Sequence, residues 1–410
     1  LAGVYYFREV KAPDGYLLNQ RDIRFEISES YDWDEPLVII AEDTPAMGRI
    51  CVMKTDEYTG KSLEGAEFTI TAEEDIVTPD GTVRVPKGTT VATLTTDKDG
   101  LAKSQLLYLG KYILREKRQP SGYVLPENAE WKVELKYQGQ DTPVITETVK
   151  VRNRPTVVVI DKKVTGSEQR LSGVKFVIWN KDKDDPVDPG MTYKELYKTD
   201  RNGQIRLEAL EPGRYCVREV AGVPGYAVDP EIREFVIDGD GRIEGQEEYT
   251  LTVDNSKTEI TDTTAISADT DSKQLYPWKR VFVKDMVDLV NIQPGEEYTL
   301  VGILADARTG EPLREGDDPD GRELRKELKF TGTEPEMTLD MVFEFDASAF
   351  AGCTGVVYEY LYQGDVMISE HADPEDRGQQ FHITAPEIST TAVSPETGKH
   401  EATPRKNTVI

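Results

Sequence analysis

The chain has 410 residues, with 49 Lys plus Arg against 76 Asp plus Glu, a formal net charge of −27 and 38% hydrophobic residues. That length fits about three or four domains, and the acidic balance excludes the clustered cations that a nucleic-acid or anionic-membrane partner needs. No run approaches the ~18 apolar residues of a membrane-spanning helix, and Cys51, Cys216 and Cys353 are too few and too far apart for a disulfide framework, so they read as free thiols.

Taken in chain order, three segments share one pattern: GVYYFREVKAPDGYLL from Gly3, GKYILREKRQPSGYVL from Gly110 and GRYCVREVAGVPGYAV from Gly213. Each places a Glu six residues after its first Gly (Glu9, Glu116, Glu219) and a Gly-Tyr pair six and seven beyond that Glu. Two of them are preceded by a Lys segment, KTDEYTGKSLEGAEFTI from Lys54 and KKVTGSEQRLSGVKFVI from Lys162, with Leu, Gly and Phe nine, eleven and fourteen residues after the Lys. All three are followed by a segment ending an apolar run, around Asp43, Asn153 and Asn255. A unit ordered Lys, Glu, Asn therefore recurs. The first copy lacks its Lys because the chain starts inside the unit, and both ends read as cut. Turn pairs such as Asp80-Gly81, Asp99-Gly100 and Asn202-Gly203 separate short runs of Val, Ile, Tyr and Thr, which predicts an all-β sandwich for each unit.

Strand residues two apart share a face. Ile50, Val52 and Lys54 form such a set, as do Val158, Ile160 and Lys162; Tyr112, Leu114 and Glu116; Tyr215, Val217 and Glu219; Val149, Val151 and Asn153; and Leu251, Val253 and Asn255. A Lys, a Glu and an Asn thus sit at the inward ends of apolar runs. Burying an unpaired ammonium or carboxylate costs several kcal/mol, so the groups pair or neutralise, and desolvation lowers a Lys pKa and raises a Glu pKa. A neutral Lys amine can then attack the Asn carboxamide, polarised by a protonated Glu, expel ammonia and leave an isopeptide bond. An ordinary buried salt bridge is the alternative for any one triplet; its repetition in order and phase favours the bond.

Residues 1–257 resemble Cna-B-type (SpaA-like) domains of Gram-positive surface proteins and pilins. The resemblance rests on the Lys…Thr-Gly…Leu-x-Gly-x-x-Phe opening, the Gly-x-Tyr-x-x-x-Glu…Gly-Tyr box and the Val-x-Asn ending. It implies all-β, tandem Ig-like or prealbumin-like sandwiches in an extended array, with isopeptide bonds Lys54–Asn153 and Lys162–Asn255 assisted by Glu116 and Glu219. The first copy has Glu9 as its Glu and Asp43 where Asn is usual. The units divide as 1–46, 47–154, 155–257, 258–386 and 387–410.

Residues 258–386 are similar to the VaFE repeat, a domain type associated with Thr–Gln ester cross-links, through DTTA at 262–265, DMVDLVNIQPGEEYTLVGIL at 285–304, FEFDAS at 343–348, VVYE at 356–359 and HADPEDRGQQF at 371–381. Face alternation puts Asp285 among Val281, Val283, Val287 and Leu289, Glu359 with Val357 and Leu361, and Gln379 with Phe381 and Ile383. Thr263 shares a face with Ala265 and is preferred over Thr264 as the ester nucleophile. A Thr hydroxyl needs a base; His371 is the proton carrier, with Asp285 and Glu359 orienting it or polarising Gln379. EISTTAVSPETGKH from Glu387 echoes EITDTTAISADTDSKQ from Glu259, so a further copy starts there.

Other signals are weaker. SPETG at 394–398 lacks the Leu and the apolar tail of a sorting signal and aligns with a loop; YPWK at 276–279 lacks the context that would make Lys279 a polymerisation site. The acidic runs at 182–188 and 315–320 lack EF-hand spacing, and no phosphate-cradling loop or zinc spacing occurs, so no cofactor is expected. The whole reads as a non-enzymatic, monomeric stalk at the bacterial surface, projecting a distal domain outside this chain towards a host matrix or cell-surface ligand. The rivals are a host-matrix-binding module and a hydrolase using Asp285, Glu359 and His371.

Overall fold

The computed structural model describes residues 1–183, 196–385, 390–393 and 398. Most of the expected further copy at 387–410, residues 394–397 of the SPETG loop and most of the acidic run 182–188 lie outside the described residues. Among the described residues the helical elements are two 3-10 turns, Glu315–Asp317 and Ser348–Phe350; the rest of the regular structure is β-strand. The apolar alternation dictates this. Along Val281–Val290 every second side chain is buried and the others only half-buried, the period-2 signature of a strand with one face in a core.

In the second unit, strand Met47–Asp56 has Leu101–Lys103 and Leu107–Tyr108 antiparallel along one side and Val144–Asn153 parallel along the other. The facing sheet runs Glu130–Leu135, Gly110–Arg118, Glu67–Ala72, Thr90–Thr95. Ile50, Val52, Phe68, Ile70, Leu114 and Val151 fill the space between.

The third unit repeats the plan. Val157–Val164 takes Gln204–Glu208 antiparallel and Glu248–Asn255 parallel, and packs through Val158, Ile160, Phe176, Val217 and Val253 on a second sheet containing Gly213–Ala221. The first and last strands of these two units are thus parallel neighbours, an arrangement that a hairpin cannot make and that requires the chain to traverse the whole sandwich between them.

The first unit contributes Gly3–Phe7 paired with Ile23–Ile27, and Tyr16–Leu17 paired with Thr44–Pro45. In the fourth unit, Glu259–Ser267, Val281–Val290 and Glu336–Phe345 form one sheet. The other runs Gln274–Leu275, Gln380–Ile383, Thr354–Gln363, Glu297–Asp306, Arg325–Thr331, with Val366–His371 beside Thr354–Gln363. Cys51, Cys216 and Cys353 are free thiols. Residues 315–317 of the acidic run make a 3-10 turn through Gly316 at φ +72°.

Candidate cross-linking sites

Parallel register brings Lys54 and Asn153 together. Lys54 lies opposite Val151, and Asn153 lies opposite Asp56, so the two are offset by two residues, about 6–7 Å along the strands. A Lys side chain leaning along its strand spans that offset, and Lys54 Nζ donates to Asn153 Oδ1. Glu116 enters from the facing sheet: it lies 2.8 Å from Lys54 Nζ and accepts from Asn153 Nδ2 at 2.9 Å. All three side chains are buried. Phe68, the aromatic fourteen residues after the Lys, places its ring 5.7 Å from Nζ, which favours a cation there by about 1 kcal/mol. Desolvation dominates nonetheless. It pulls the Lys54 ammonium down to about 8 against the attraction of Glu116, and burial pushes the Glu116 carboxyl up. Transfer of one proton from amine to carboxylate is therefore far easier here than in water.

The third unit reproduces the triangle. Lys162 pairs with Val253 and Asn255 with Val164 in register; Lys162 Nζ donates to Asn255 Oδ1, sits 3.0 Å from the Glu219 carboxylate, and Asn255 Nδ2 donates to Glu219 at 2.7 Å. Burial lowers the Lys162 pKa as well. In the first unit Glu9 and Asp43 come together but stay half-exposed. Burial, then the Glu9 charge, raises the Asp43 carboxyl, while Glu9 accepts the Asn19 N–H at 2.8 Å.

The fourth unit gathers a different set. Nine buried side-chain polar atoms among the described residues lack a protein hydrogen-bond partner, and seven of them belong to Thr263, Asp285, Glu359 and Gln379. Since buried polar groups are nearly always partnered, this concentration marks one pocket of groups held for something other than static bonding. Thr263 and Asp285 come from adjacent strands, with Ala265 opposite Asp285. Ala265 N donates to Gly378 O at 3.0 Å, which draws the Thr263 strand against Gln379, and Val357 N donates to Gln379 O at 3.3 Å. Thr263 is buried and Thr264 only half-buried. Burial raises Asp285 to about 7. Burial and then the Asp285 charge push Glu359 higher still, so the pair retains a proton at neutral pH.

His371 lies opposite Glu359 in the strand register, but its ring is held elsewhere. Nε2 lies 2.8 Å from Asp376 Oδ2, so the carboxylate that holds the ring is Asp376; Asp285 and Glu359 were expected either to orient it or to polarise Gln379. Against the opposing effect of burial, the Gly378 N–H and His371 hold Asp376 below the usual carboxylate range. Lys273 was also not anticipated. Its Nζ donates to Ala265 O at 2.6 Å and to Gly378 O, clamping the Thr263 strand to the Gln379 segment. Asp376 had a visible signal, a carboxylate five residues after His371 in HADPEDRGQQF; Lys273 had none.

Comparison with known proteins gives two family matches. The prealbumin-like fold domain model of the SpaA family matches residues 1–35, 48–150 and 157–257, and the T-Q ester bond containing domain model matches residues 258–383. No curated protein matches the chain. Among solved structures, the Bacillus anthracis TIE protein is 18% identical with a TM-score of 0.32, covering 90% of this chain and 52% of its own; this chain thus spans about half the length of that protein. A Mobiluncus mulieris adhesin containing intramolecular disulfide, isopeptide and ester bond cross-links is 15% identical (TM-score 0.27; 32% of this chain and 57% of that one). The shaft pilin SpaA of Lactobacillus rhamnosus GG is 18% identical (TM-score 0.25; 52% and 98%).

The raised carboxyls fix a pH dependence. A carboxyl whose folded pKa exceeds its unfolded value stabilises the fold at low pH and loses that contribution as pH rises through the folded pKa. In a Thr263→Val chain, where that hydroxyl is absent, the calorimetric transition of the fourth unit should fall in temperature between pH 5 and pH 8. Adding both Asp285→Asn and Glu359→Gln should remove most of the fall; an unchanged pH profile would contradict the assignment.

Proposed function

Because the chain belongs to the SpaA prealbumin-like fold family, we propose that it is a non-enzymatic stalk segment of a bacterial surface protein whose second, third and fourth units each close one internal covalent bond. The observation that carries this reading is the twice-repeated Lys–Glu–Asn triangle, buried and hydrogen-bonded in one geometry. Lys54, neutral after passing a proton to Glu116, attacks Asn153 Cγ. The new C–N bond forms as Nδ2 takes that proton from Glu116 and leaves as ammonia, and the attacking nitrogen gives its surplus proton back to Glu116. Lys162, Glu219 and Asn255 follow the same course. In the fourth unit, Thr263 Oγ1 gives its proton to His371, held by Asp376, and attacks Gln379 Cδ. The proton shared by Asp285 and Glu359 polarises the amide, and Nε2 of Gln379 takes the proton from His371 and leaves as ammonia. Each unit reacts once. Asp285, Glu359 and Gln379 are fully buried, so an external ester has no route to them, which disfavours a hydrolase.

The bonds join the first strand of a unit to its last. Lys54 and Asn153 are 99 residues apart and Lys162 and Asn255 are 93 apart, and such a tie removes roughly 4–5 kcal/mol of chain entropy from the unfolded state, as a disulfide of equal loop length would. Tension entering at residue 54 crosses to 153, follows the chain to 162, crosses to 255, and runs on to 263 and 379 without loading the sandwiches. The proposed setting is the exterior of a Gram-positive wall, with this segment holding a distal host-binding domain away from the cell.

Pulled from its ends, the chain should show no unfolding step from the second, third or fourth unit. Lys54→Ala should add one step of roughly 300 Å, the extended length of the freed loop less its folded span; steps of that size in the unaltered chain would refute the stalk reading. Glu116→Ala should abolish the Lys54–Asn153 cross-linked peptide in a proteolytic map while leaving the Lys162–Asn255 peptide in place.

A further inference from the structure

The Gly-Tyr pair six and seven residues beyond each Glu takes no part in the chemistry, yet its geometry is repeated three times. Gly15, Gly122 and Gly225 have φ of +91°, +83° and +84°. Their carbonyls accept the N–H of Ala46, Thr156 and Thr258 at 2.8, 2.9 and 2.8 Å, in each case the third residue after Asp43, Asn153 or Asn255. Tyr16, Tyr123 and Tyr226 bridge to Pro45, Pro155 and Lys257. The segment leaving each unit is thus bonded back onto that unit in one register.

The open side of each glycine meets the following unit. A Cβ on Gly15 would stand 2.5 Å from Pro79 Cγ, on Gly122 2.5 Å from Ala209 O, and on Gly225 3.2 Å from Ile368 Cβ. At the last junction Gly225 N also donates to Gln363 Oε1 at 3.0 Å.

We propose that the Gly-Tyr pair is an inter-unit coupler, whose partner is the next unit of the same chain. Positive φ favours glycine, and the missing Cβ lets the next sandwich seat directly on the turn. The junctions are then fixed and alike, and the stalk is a stiff rod, unlike units strung on flexible linkers. The purpose rests on the stalk reading; the geometry does not.

Lys257 provides the test. It is exposed, and it lies between Asn255 and Thr263, so tryptic cleavage after it separates the two parts of the chain even when every cross-link has formed. In the full chain, Gly225→Ala should accelerate that cleavage about tenfold, and Gln363→Ala, which lies in the next unit, should accelerate it a few-fold; the deficit of the uncut chain below its own sequence mass should stay the same in both. Unaltered cleavage in both variants would overturn the coupler. So would a smaller mass deficit in Gly225→Ala with no effect of Gln363→Ala, because the pair would then serve the cross-link. Faster cleavage in a chain that never forms cross-links would leave the coupler standing and remove only the stalk chemistry.

Discussion

The structure depends on a shared proton in a place water does not reach. An ammonium and a carboxylate buried together keep their charges only at a desolvation cost of several kcal/mol, and both Lys54 and Glu116 are driven towards their neutral forms. A neutral amine touching a carboxamide, with a proton beside the leaving nitrogen, is a reactive arrangement. The same burial that makes the triangle costly as a salt bridge makes it competent as a reagent.

The fourth unit meets the same constraint with different groups. A Thr hydroxyl is a far weaker nucleophile than an amine, and the site around it is correspondingly larger: a His371–Asp376 pair at its edge, a proton-sharing Asp285–Glu359 pair in its core and Lys273 clamping the backbone. The topology is common to all three. Thr263 lies in the first strand of its unit and Gln379 immediately before the last, as Lys54 and Asn153 occupy the first and last strands of theirs. Each proposed tie would therefore close a loop spanning nearly the whole of its unit.

Much of this was legible in the sequence because strand parity is unforgiving. A residue two places beyond a buried Val shares its face, so Lys54, Glu116 and Asn153 could be read as inward-facing from Val52, Leu114 and Val151 alone. Parity says nothing about which strands are neighbours. The parallel pairing of Met47–Asp56 with Val144–Asn153 is a property of the whole sandwich, as is the two-residue offset that Lys54 bridges. Asp376 escaped notice because two better-buried acids, Asp285 and Glu359, competed for the role of orienting His371. Lys273 acts through backbone carbonyls, which leave no mark on the side-chain pattern. The recurrence of Gly15, Gly122 and Gly225 was visible, but its reason lies in φ and in the adjoining unit.

The central claim is covalent, and mass tests it most directly. The purified chain, unfolded and reduced, should weigh ~51 Da less than its sequence, one ammonia for each of the three bonds. A mass equal to that of the sequence would contradict the account and return these buried residues to ordinary ion pairs and hydrogen bonds.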